Sequence, residues 1–284
     1  MTSIIELTSK NLRCDIAPDL GGAISGLWLG EIPVLRSTKG SLLRSVRDAG
    51  CYPLVPFSNR ISNATLKWNG TQHPLIKNNG SEPHAIHGVG WQRPWTVLEQ
   101  DPQFALLSYE HKADRHWPFA FDTSQAFKLS EDGLEISLSL TNQSKQLQPA
   151  GLGWHPYFVK RDSSHIAFKA GGLWDMNEDK LPTCRKFTKG LNVKCVALDI
   201  DNCFDGWLDD VHLFDGTLDI RLSSNLSRLV VFTNSQKDFI AIEPVSHVNN
   251  ATNLKNTHDV DLGLVALQPG ETLSAHIYIK VQRA

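Results

Sequence analysis

The chain has 284 residues, of which 41% are hydrophobic and 20% are charged, and its formal net charge is -2. A chain of this length buries a sizeable core, and the composition is that of an ordinary globular protein. The nearly balanced charge gives no electrostatic reason to expect a nucleic-acid partner. No apolar stretch approaches the length of a membrane span, so we expect partners of neither kind.

The N-terminus and the cysteines both favour a cytoplasmic location. The first residues, Met1 to Leu7, lack the basic and apolar regions of a signal peptide. The five cysteines are odd in number and scattered, with no C-x-x-C pair. Such a pattern favours reduced thiols over a disulfide framework.

Short strands separated by turns are predicted along the chain. Residues 4–7 and 12–16 form an opening hairpin, and residues 125–129 and 134–140 form a second one. In its turn, Gly133 is available for a positive φ. Strands follow at residues 218–222 and 229–232. After a turn at Pro269-Gly270, one face of a last strand carries Leu273, Ala275, Ile277, Ile279 and Val281.

The overall pattern favours an all-β fold. Helical periodicity is weak everywhere, so we expect few short helices. Antiparallel strands of this length and number favour a sandwich or a barrel. Residues 171–210 are rich in Asp, Lys, Asn and Gly and are predicted to carry loops. No linker, repeat or low-complexity segment interrupts the chain, so residues 1–284 are predicted to form a single domain.

His155 is the most informative residue, because it stands between glycines and a proline in the segment Gly151-Leu152-Gly153-Trp154-His155-Pro156-Tyr157-Phe158. Pro156 biases its backbone toward extended angles, and the glycines allow another backbone or a ligand to come close. We therefore expect an imidazole that projects from a strand into a cleft. Glu243 lies between apolar residues and before Pro244. It is either an outward position of an alternating strand or a partly buried carboxyl group with a raised pKa.

Other polar residues stand in similar local contexts. Arg60 follows two prolines and can donate paired hydrogen bonds to an oxygen-rich ligand or to a carboxylate, or serve a salt bridge. His87 precedes a Gly-x-Gly segment and is either a ligand contact or a structural histidine. Asp201 is either a hydroxyl-binding carboxylate or a solvated loop residue.

Several familiar chemistries are excluded by inspection. The chain has neither the G-x-S-x-G motif of a hydrolase nor the G-x-x-x-x-G-K-[ST] phosphate loop. Gly151 and Gly153 begin like a dinucleotide fingerprint, but Pro156 occupies the third glycine position. The histidines near Glu82 lack the close spacing of metal ligands, so we predict no bound metal.

These segments, in this order, resemble the aldose 1-epimerase (galactose mutarotase-like) family across nearly the whole chain. The matching pieces are Asn59-Arg60-Ile61, His87-Gly88, Gly151–Phe158, Asp201-Asn202-Cys203-Phe204, Ile242-Glu243-Pro244 and the closing Leu267–Glu271. The resemblance implies a large antiparallel β-sandwich (the galactose mutarotase-like supersandwich) with a sugar cleft and no metal or organic cofactor. It also implies that the partner is a small-molecule sugar.

The resemblance assigns roles to individual residues. Glu243 becomes the general base and His155 the general acid of an anomer interconversion. The remaining residues implied to contact the substrate are Arg60, His87 and Asp201, and we predict further contacts from Asn59 and Trp154. A carboxylate and an imidazolium suffice chemically, because mutarotation needs a proton removed from the C1 hydroxyl and one delivered to the ring oxygen.

The sequence is compatible with more than one substrate and more than one activity class. Trp154 and Pro156 flank His155, where typical galactose mutarotases have Asn and Thr, so the chain resembles a broader branch of the family. We favour a free aldose such as galactose or glucose. A hexose 6-phosphate would need a basic cluster, for which the candidates are Arg36, Arg44, Arg47, Lys67, Lys77 and Arg93. The pattern also allows a carbohydrate-binding module without turnover, and it allows a sugar lyase or hydrolase.

Overall fold

The computed structural model describes residues 3–254 and 260–284, and most of its regular structure is strand. The first nine strands are β1 (Ile5–Ser9), β2 (Leu12–Ala17), β3 (Ala23–Leu29), β4 (Ile32–Pro33), β5 (Pro53–Leu54), β6 (Arg60–Ile61), β7 (Thr65–Trp68), β8 (Thr71–Pro74) and β9 (Ala85–Ile86). The next nine are β10 (Thr96–Asp101), β11 (Phe104–His111), β12 (Phe121–Leu129), β13 (Gly133–Asn142), β14 (Gln148–Ala150), β15 (Gly153–Trp154), β16 (Tyr157–Val159), β17 (His165–Lys169) and β18 (Gly172–Met176). The last nine are β19 (Pro182–Phe187), β20 (Leu191–Lys194), β21 (Ile200–Asp205), β22 (Leu208–Phe214), β23 (Leu218–Ser224), β24 (Arg228–Thr233), β25 (Phe239–Val245), β26 (Val265–Leu267) and β27 (Thr272–Arg283).

The helices are few and short, as predicted. Within the described ranges they are four 3₁₀ segments of three residues each, at Gly40–Leu42, Val46–Asp48, Ser62–Ala64 and Gly90–Gln92. No helix in this part of the chain is long and apolar enough to cross a membrane.

Two large antiparallel sheets dominate the molecule and confirm the predicted all-β sandwich. The nine-stranded sheet has the order β10-β11-β12-β13-β27-β23-β22-β17-β20. The eight-stranded sheet has the order β19-β18-β21-β24-β25-β15-β5, with β16 also paired to β25. A four-stranded sheet, β1-β2-β3-β4, and three two-stranded ladders complete the architecture.

The main hydrophobic core draws on the facing sides of both large sheets. From the nine-stranded sheet, Phe127 and Ile277 join the same buried cluster as Ile240 and Ile242 of the eight-stranded sheet. Side chains alternate between the two faces of a strand, so the neighbours of Ile242 point the other way. That other face of the eight-stranded sheet carries a second buried cluster, which includes Ala241 and Val245.

Both predicted hairpins are present, but two local predictions were wrong. Gly133 does not have a positive φ and instead begins β13. A Cβ there would lie 2.6 Å from the carbonyl oxygen of Ile279, so the glycine serves close strand approach. Residues 171–210 contain strands rather than mainly loops. Their polar composition reflects β19 and β20, which are edge strands of the two large sheets and are therefore partly exposed.

Candidate functional site

Strand register places His155 opposite Glu243. Two short strands, β15 and β16, pair with successive parts of β25, and His155 lies in the gap between them. Gly153 pairs with Val245 and Tyr157 with Ala241, so the common register puts His155 directly across from Glu243. Directly opposed residues on an antiparallel pair project from the same face. The two side chains therefore meet outside the main core, on the face of the second cluster.

The imidazole and the carboxyl group are in contact and are almost inaccessible to solvent. His155 Nε2 lies 3.1 Å from Glu243 Oε1, and the two side chains are 9% and 3% exposed. The second polar atom of each group, His155 Nδ1 and Glu243 Oε2, is buried without a hydrogen-bond partner in the structure. Buried polar atoms are rarely left unpaired, and exceptions call for a functional explanation. Each group thus has one polar atom without a hydrogen-bond partner in the structure.

Two tyrosines hold the His155 ring. The Tyr157 ring stacks on the imidazole with centroids 4.3 Å apart, and the Tyr52 ring lies 4.9 Å away. The two phenol oxygens are 3.0 Å apart, within hydrogen-bond distance. The backbone N–H of His155 donates to the carbonyl oxygen of Tyr52 at 3.0 Å. The imidazole orientation is therefore set by both backbone and aromatic contacts.

His87 and Asn59 are locked to each other through backbone groups. The backbone N–H of Asn59 donates to Nδ1 of His87 at 3.2 Å, and the N–H of His87 donates to the Asn59 carbonyl at 2.9 Å. Because Nδ1 accepts, a neutral His87 carries its proton on Nε2 and offers it as a donor. Burial, followed by the charge of His155, holds the pKa of His87 well below its usual range. Both residues have a positive φ, of 54° at Asn59 and 60° at His87, a strained conformation that clusters at functional sites.

Arg60 and Asp201 add opposite charges near the pair. Arg60 Nε donates to Glu82 Oε1 at 2.6 Å, and its side chain is 15% exposed. Asp201 Oδ2 lies 3.6 Å from Lys180 Nζ on the surface. Each charge is thus partly compensated by a partner of its own.

Six of the seven predicted site residues line one cavity of about 340 Å³: Asn59, Arg60, His87, His155, Asp201 and Glu243. This volume is near the lower end of ligand cavities, which run from roughly 300 to 1,000 Å³. We call it the cleft. It accommodates a ligand of monosaccharide size.

Trp154 does not line the cleft, so its predicted contact with the sugar was wrong. Its side chain is fully buried in the main core, and its indole N–H donates to Gln125 Oε1 at 3.0 Å. The reason is strand alternation, since the neighbour of a cleft-facing residue must face the opposite side.

Burial favours the uncharged forms of the central pair. It raises the pKa of Glu243 well above its ordinary value, reinforced by the charge of Asp201 and opposed by Arg60. Burial and the charge of Arg36 lower the pKa of His155 to about 3. Because the groups touch, their titrations are coupled, and one contact joins the carboxyl group to the imidazole for proton transfer.

Several cleft residues were not identified from the sequence as site residues. Tyr157 belongs to the motif around His155 and faces the same side by period two, a signal that could have found it. Tyr52, Asn79, Ile86, Phe232 and Phe239 also line the cleft, together with Lys237. Their separation along the chain leaves no local signal.

Among the basic residues considered for a phosphate group, Arg36 and Arg47 line the cleft. The others are absent from its lining: Arg44, Lys67, Lys77 and Arg93.

A larger depression of about 940 Å³ lies elsewhere, along β17, β20 and β22. It is lined by exposed side chains such as Phe187, which is 79% exposed, and by the exposed pair Lys169 and Asp209. It lacks a buried acid–base pair, so the smaller cleft is the candidate site. Across residues 3–254 and 260–284 no group of His, Cys, Asp or Glu is arranged to hold a metal ion.

Comparison with known proteins identifies the family. The family model for aldose 1-epimerase matches residues 3–280. The uncharacterised protein YphB of Escherichia coli K12 is 30% identical over 297 residues, covering 99% of both chains. A crystal structure from the same organism, described as a candidate aldose 1-epimerase, has a TM-score of 0.89 at 29% identity and covers both chains fully. A galactose mutarotase-like protein from Clostridium acetobutylicum has a TM-score of 0.85 at 22% identity, with 100% of this chain and 96% of that one covered. The chain therefore belongs to the aldose 1-epimerase family.

Proposed function

We propose that the protein is a mutarotase that interconverts the α and β anomers of an aldose by acid–base ring opening. The observation that supports this most directly is the buried contact between His155 and Glu243, in which each group keeps one unpaired polar atom. A pure binding site has no need of a desolvated carboxyl group touching a desolvated imidazole. The same pair distinguishes the proposed reaction from simple sugar binding.

Ring opening begins with Glu243 as the carboxylate and His155 as the imidazolium. Glu243 removes the proton from the C1 hydroxyl while His155 donates a proton to the ring oxygen O5. The electron pair of the breaking C1–O5 bond goes to O5, and the electrons of the O1–H bond form the carbonyl. The products are the open-chain aldehyde, a protonated Glu243 and a neutral His155. Proton transfers of this kind each accelerate a reaction by roughly 10²–10⁴-fold.

Ring closure reverses these transfers on the other face of the carbonyl. Rotation about the C1–C2 bond turns the aldehyde over, and O5 attacks C1 as His155 takes back its proton. Glu243 returns its proton to the carbonyl oxygen, which becomes the C1 hydroxyl of the other anomer. Each residue ends in its starting state, so no other proton donor is consumed.

The remaining cleft residues bind and orient the sugar in this proposal. The neutral His87 donates from Nε2 to a sugar oxygen, and Asp201 accepts from hydroxyl groups. Arg60 is always protonated and cannot act as the acid. Its charge lowers the pKa of Glu243, which favours the carboxylate needed for the first step. Asn59 positions both Arg60 and His87 through the hydrogen bonds to its backbone and side chain.

We also propose that the protein works in the cytoplasm, in the absence of a bound metal or organic cofactor. All five cysteines are free, and four of them are buried. Burial raises the pKa of the Cys51 thiol and keeps it protonated, which leaves a sulfhydryl of low reactivity beside the site.

The test is anomer exchange measured by saturation-transfer NMR or polarimetry on a panel of aldoses. We expect the wild type to accelerate exchange of at least one aldose. Glu243→Gln should lower that rate by about 10²–10⁴-fold while sugar affinity stays within several-fold. The matched control is Glu135→Gln, which makes the same change at an exposed position of β13. Full turnover by Glu243→Gln would remove the base assignment, and release of new reducing ends from linked sugars would instead indicate a hydrolase or lyase.

A further inference from the structure

Positive charge is concentrated around the cleft although the whole chain carries a net charge of -2. The cleft lining contains four cationic side chains, Arg36, Arg47, Arg60 and Lys237, against two carboxyl groups, Asp201 and Glu243. Burial raises the pKa of Glu243, which favours its uncharged form and adds to this excess. A neutral sugar gives no reason for such an excess.

Three of these cations have no acidic partner among the described residues. Arg60 pairs with Glu82, whereas none of the ion pairs found in residues 3–254 and 260–284 involves Arg36, Arg47 or Lys237. Arg36 instead donates from Nη2 to the carbonyl oxygens of Arg47 and Ala49, and its buried Nε has no hydrogen-bond partner. Arg47 donates to the side-chain oxygen of Asn79.

Aromatic rings hold these cations in place beside the acid–base pair. The Arg36 guanidinium lies 4.0 Å from the ring centroid of Tyr157, which stacks on His155. Lys237 Nζ and the Arg36 guanidinium lie 5.7 Å and 5.2 Å from the ring centroid of Phe239. Arg47 lies 5.1 Å from the ring centroid of Trp91. Cation–π contacts of this kind position a cation without neutralising its charge.

The geometry points to an aldose that carries an anionic group, bound by Arg36 and Lys237 with Arg47 at the rim. This inference rests on the proposed function, since it identifies the substrate class of the same cleft. His155 protonates O5, and the carbon bonded to O5 on its far side carries C6. The Arg36 guanidinium contacts the Tyr157 ring, which stacks on His155, so we infer that the anionic group is carried on C6, near the atom that His155 protonates. Phosphate, sulfonate and carboxylate groups share the oxygen acceptors that an arginine binds.

A bound anion would also support the chemistry. The charges of Arg36 and Arg47 both disfavour the imidazolium form of His155. An anion between these cations offsets that repulsion and makes the protonated imidazole easier to form. The substrate would thereby help to place the proton on the residue that must donate it.

The experiment compares anomer exchange of matched neutral and anionic aldoses: glucose against glucose 6-phosphate, glucuronate and 6-deoxy-6-sulfoglucose. We expect kcat/KM for at least one anionic sugar to exceed that for glucose by about tenfold or more, the effect of one charge-assisted hydrogen bond. The advantage should shrink as ionic strength rises from about 20 to 300 mM. The ranking within the panel separates phosphate, carboxylate and sulfonate. Glucose exchanging as fast as every anionic sugar would overturn the inference and leave the proposed function standing.

Variants test the residues that carry the inference. Arg36→Gln and Lys237→Gln should each lower the ratio of anionic to neutral kcat/KM by about tenfold or less, with Arg36→Gln the larger effect. Lys237 is exposed, so its substitution remains informative if Arg36→Gln fails to fold. Arg44→Gln is the control, because it removes one exposed positive charge outside the cleft lining and should leave the ratio unchanged. An equal fall in Arg44→Gln would reduce the effect to net charge and overturn the inference.

Binding measurements distinguish a wrong inference about the anionic group from a wrong proposal about the reaction. If no aldose in the panel exchanges faster than in buffer, the proposed function is wrong, and calorimetry then examines the anion subsite alone. Tighter binding of glucose 6-phosphate, glucuronate or 6-deoxy-6-sulfoglucose than of glucose, lost in Arg36→Gln, would still support the subsite. Equal affinity for glucose and all three would overturn it.

Discussion

Strands β25 and β27 lie inside their sheets and follow the same alternation, but their outer faces differ. In β27 the core positions Ile277 and Ile279 alternate with residues that are exposed or partly exposed. In β25 every residue is buried, including Glu243. Both strands therefore have an apolar face on the core, and only β25 has its second face covered. The covered second face of β25 therefore holds a carboxyl group away from water, at the candidate site.

The two faces of β25 also have opposite effects on the stability of the folded state. A buried carboxyl group and imidazole with unpaired atoms destabilise the folded state, because neither group regains the hydrogen bonds it had in water. The opposite face of the same strand compensates, since Ile240 and Ile242 are fully buried in the main core. The strand thus supports a destabilising site on one face with packing on the other.

The largest expected effect comes from replacing the two members of the acid–base pair, Glu243 and His155, singly and together. Glu243→Gln and His155→Gln should each lower exchange by about 10²–10⁴-fold. Because the two groups act as one unit, the double variant should be no more than a few-fold slower than the slower single variant. Saturation-transfer NMR on all three variants checks this. Rate losses that multiply in full would show that the two residues act independently.

Much of this comparison was predictable from the sequence. The alternation in β27 and the buried segment at residues 229–232 were predictable from the sequence. A strand with one solvent-exposed face, or with no exposed face, has a recognisable local pattern of polar and apolar residues. His155 and Glu243 stood out because their neighbours are glycine, proline and apolar residues. The main cluster unites both large sheets, which supports our proposal that residues 1–284 form one domain.

The predictions that were wrong or missing depend on how segments are arranged in the folded chain. Edge strands β19 and β20 resemble loops because their exposed positions are polar. The sugar contact predicted for Trp154 was wrong because adjacent strand residues face opposite sides, which places Trp154 in the main core. The convergence of Arg36, Arg47 and Lys237 brings together segments about 200 residues apart, and only the folded chain reveals it.

The core faces of the two strands should respond alike to truncation. Ile242→Ala and Ile277→Ala each leave a cavity in the same cluster and should lower the free energy of unfolding by about 2–5 kcal/mol. Urea denaturation followed by tryptophan fluorescence measures both. Only Ile242→Ala is expected to slow anomer exchange as well, because Ile242 directly precedes Glu243 on β25. Equal loss of activity in Ile277→Ala would mean that the core and the cleft are not separable.

Acid should lower the free energy of unfolding through protonation of His155, which lies opposite Glu243 on the covered face of the sheet. Its pKa in the folded protein is lowered to about 3, below the usual value, so the stability held by neutral His155 is present above about pH 6.5 and is lost as the pH falls toward 3. The loss reaches at most roughly 1.4 kcal/mol per pH unit. Unfolding free energies between about pH 7 and pH 4 should fall less steeply in His155→Gln than in the wild type. His276→Gln, an exposed position on β27, should keep the wild-type slope, and an unaltered slope in His155→Gln would contradict the assignment.

The smallest effect is expected on the open face of β27. Lys280 Nζ lies 3.4 Å from Asp132 Oδ2, and the two side chains are 47% and 55% exposed. Water screens such a pair, and its formation restricts two flexible side chains, so its net contribution to stability is small. Lys280→Gln should therefore lower the urea midpoint of unfolding only slightly and leave anomer exchange unchanged. A larger loss would mean that this face is covered in solution, and the contrast with β25 would then rest on the acid–base pair rather than on burial.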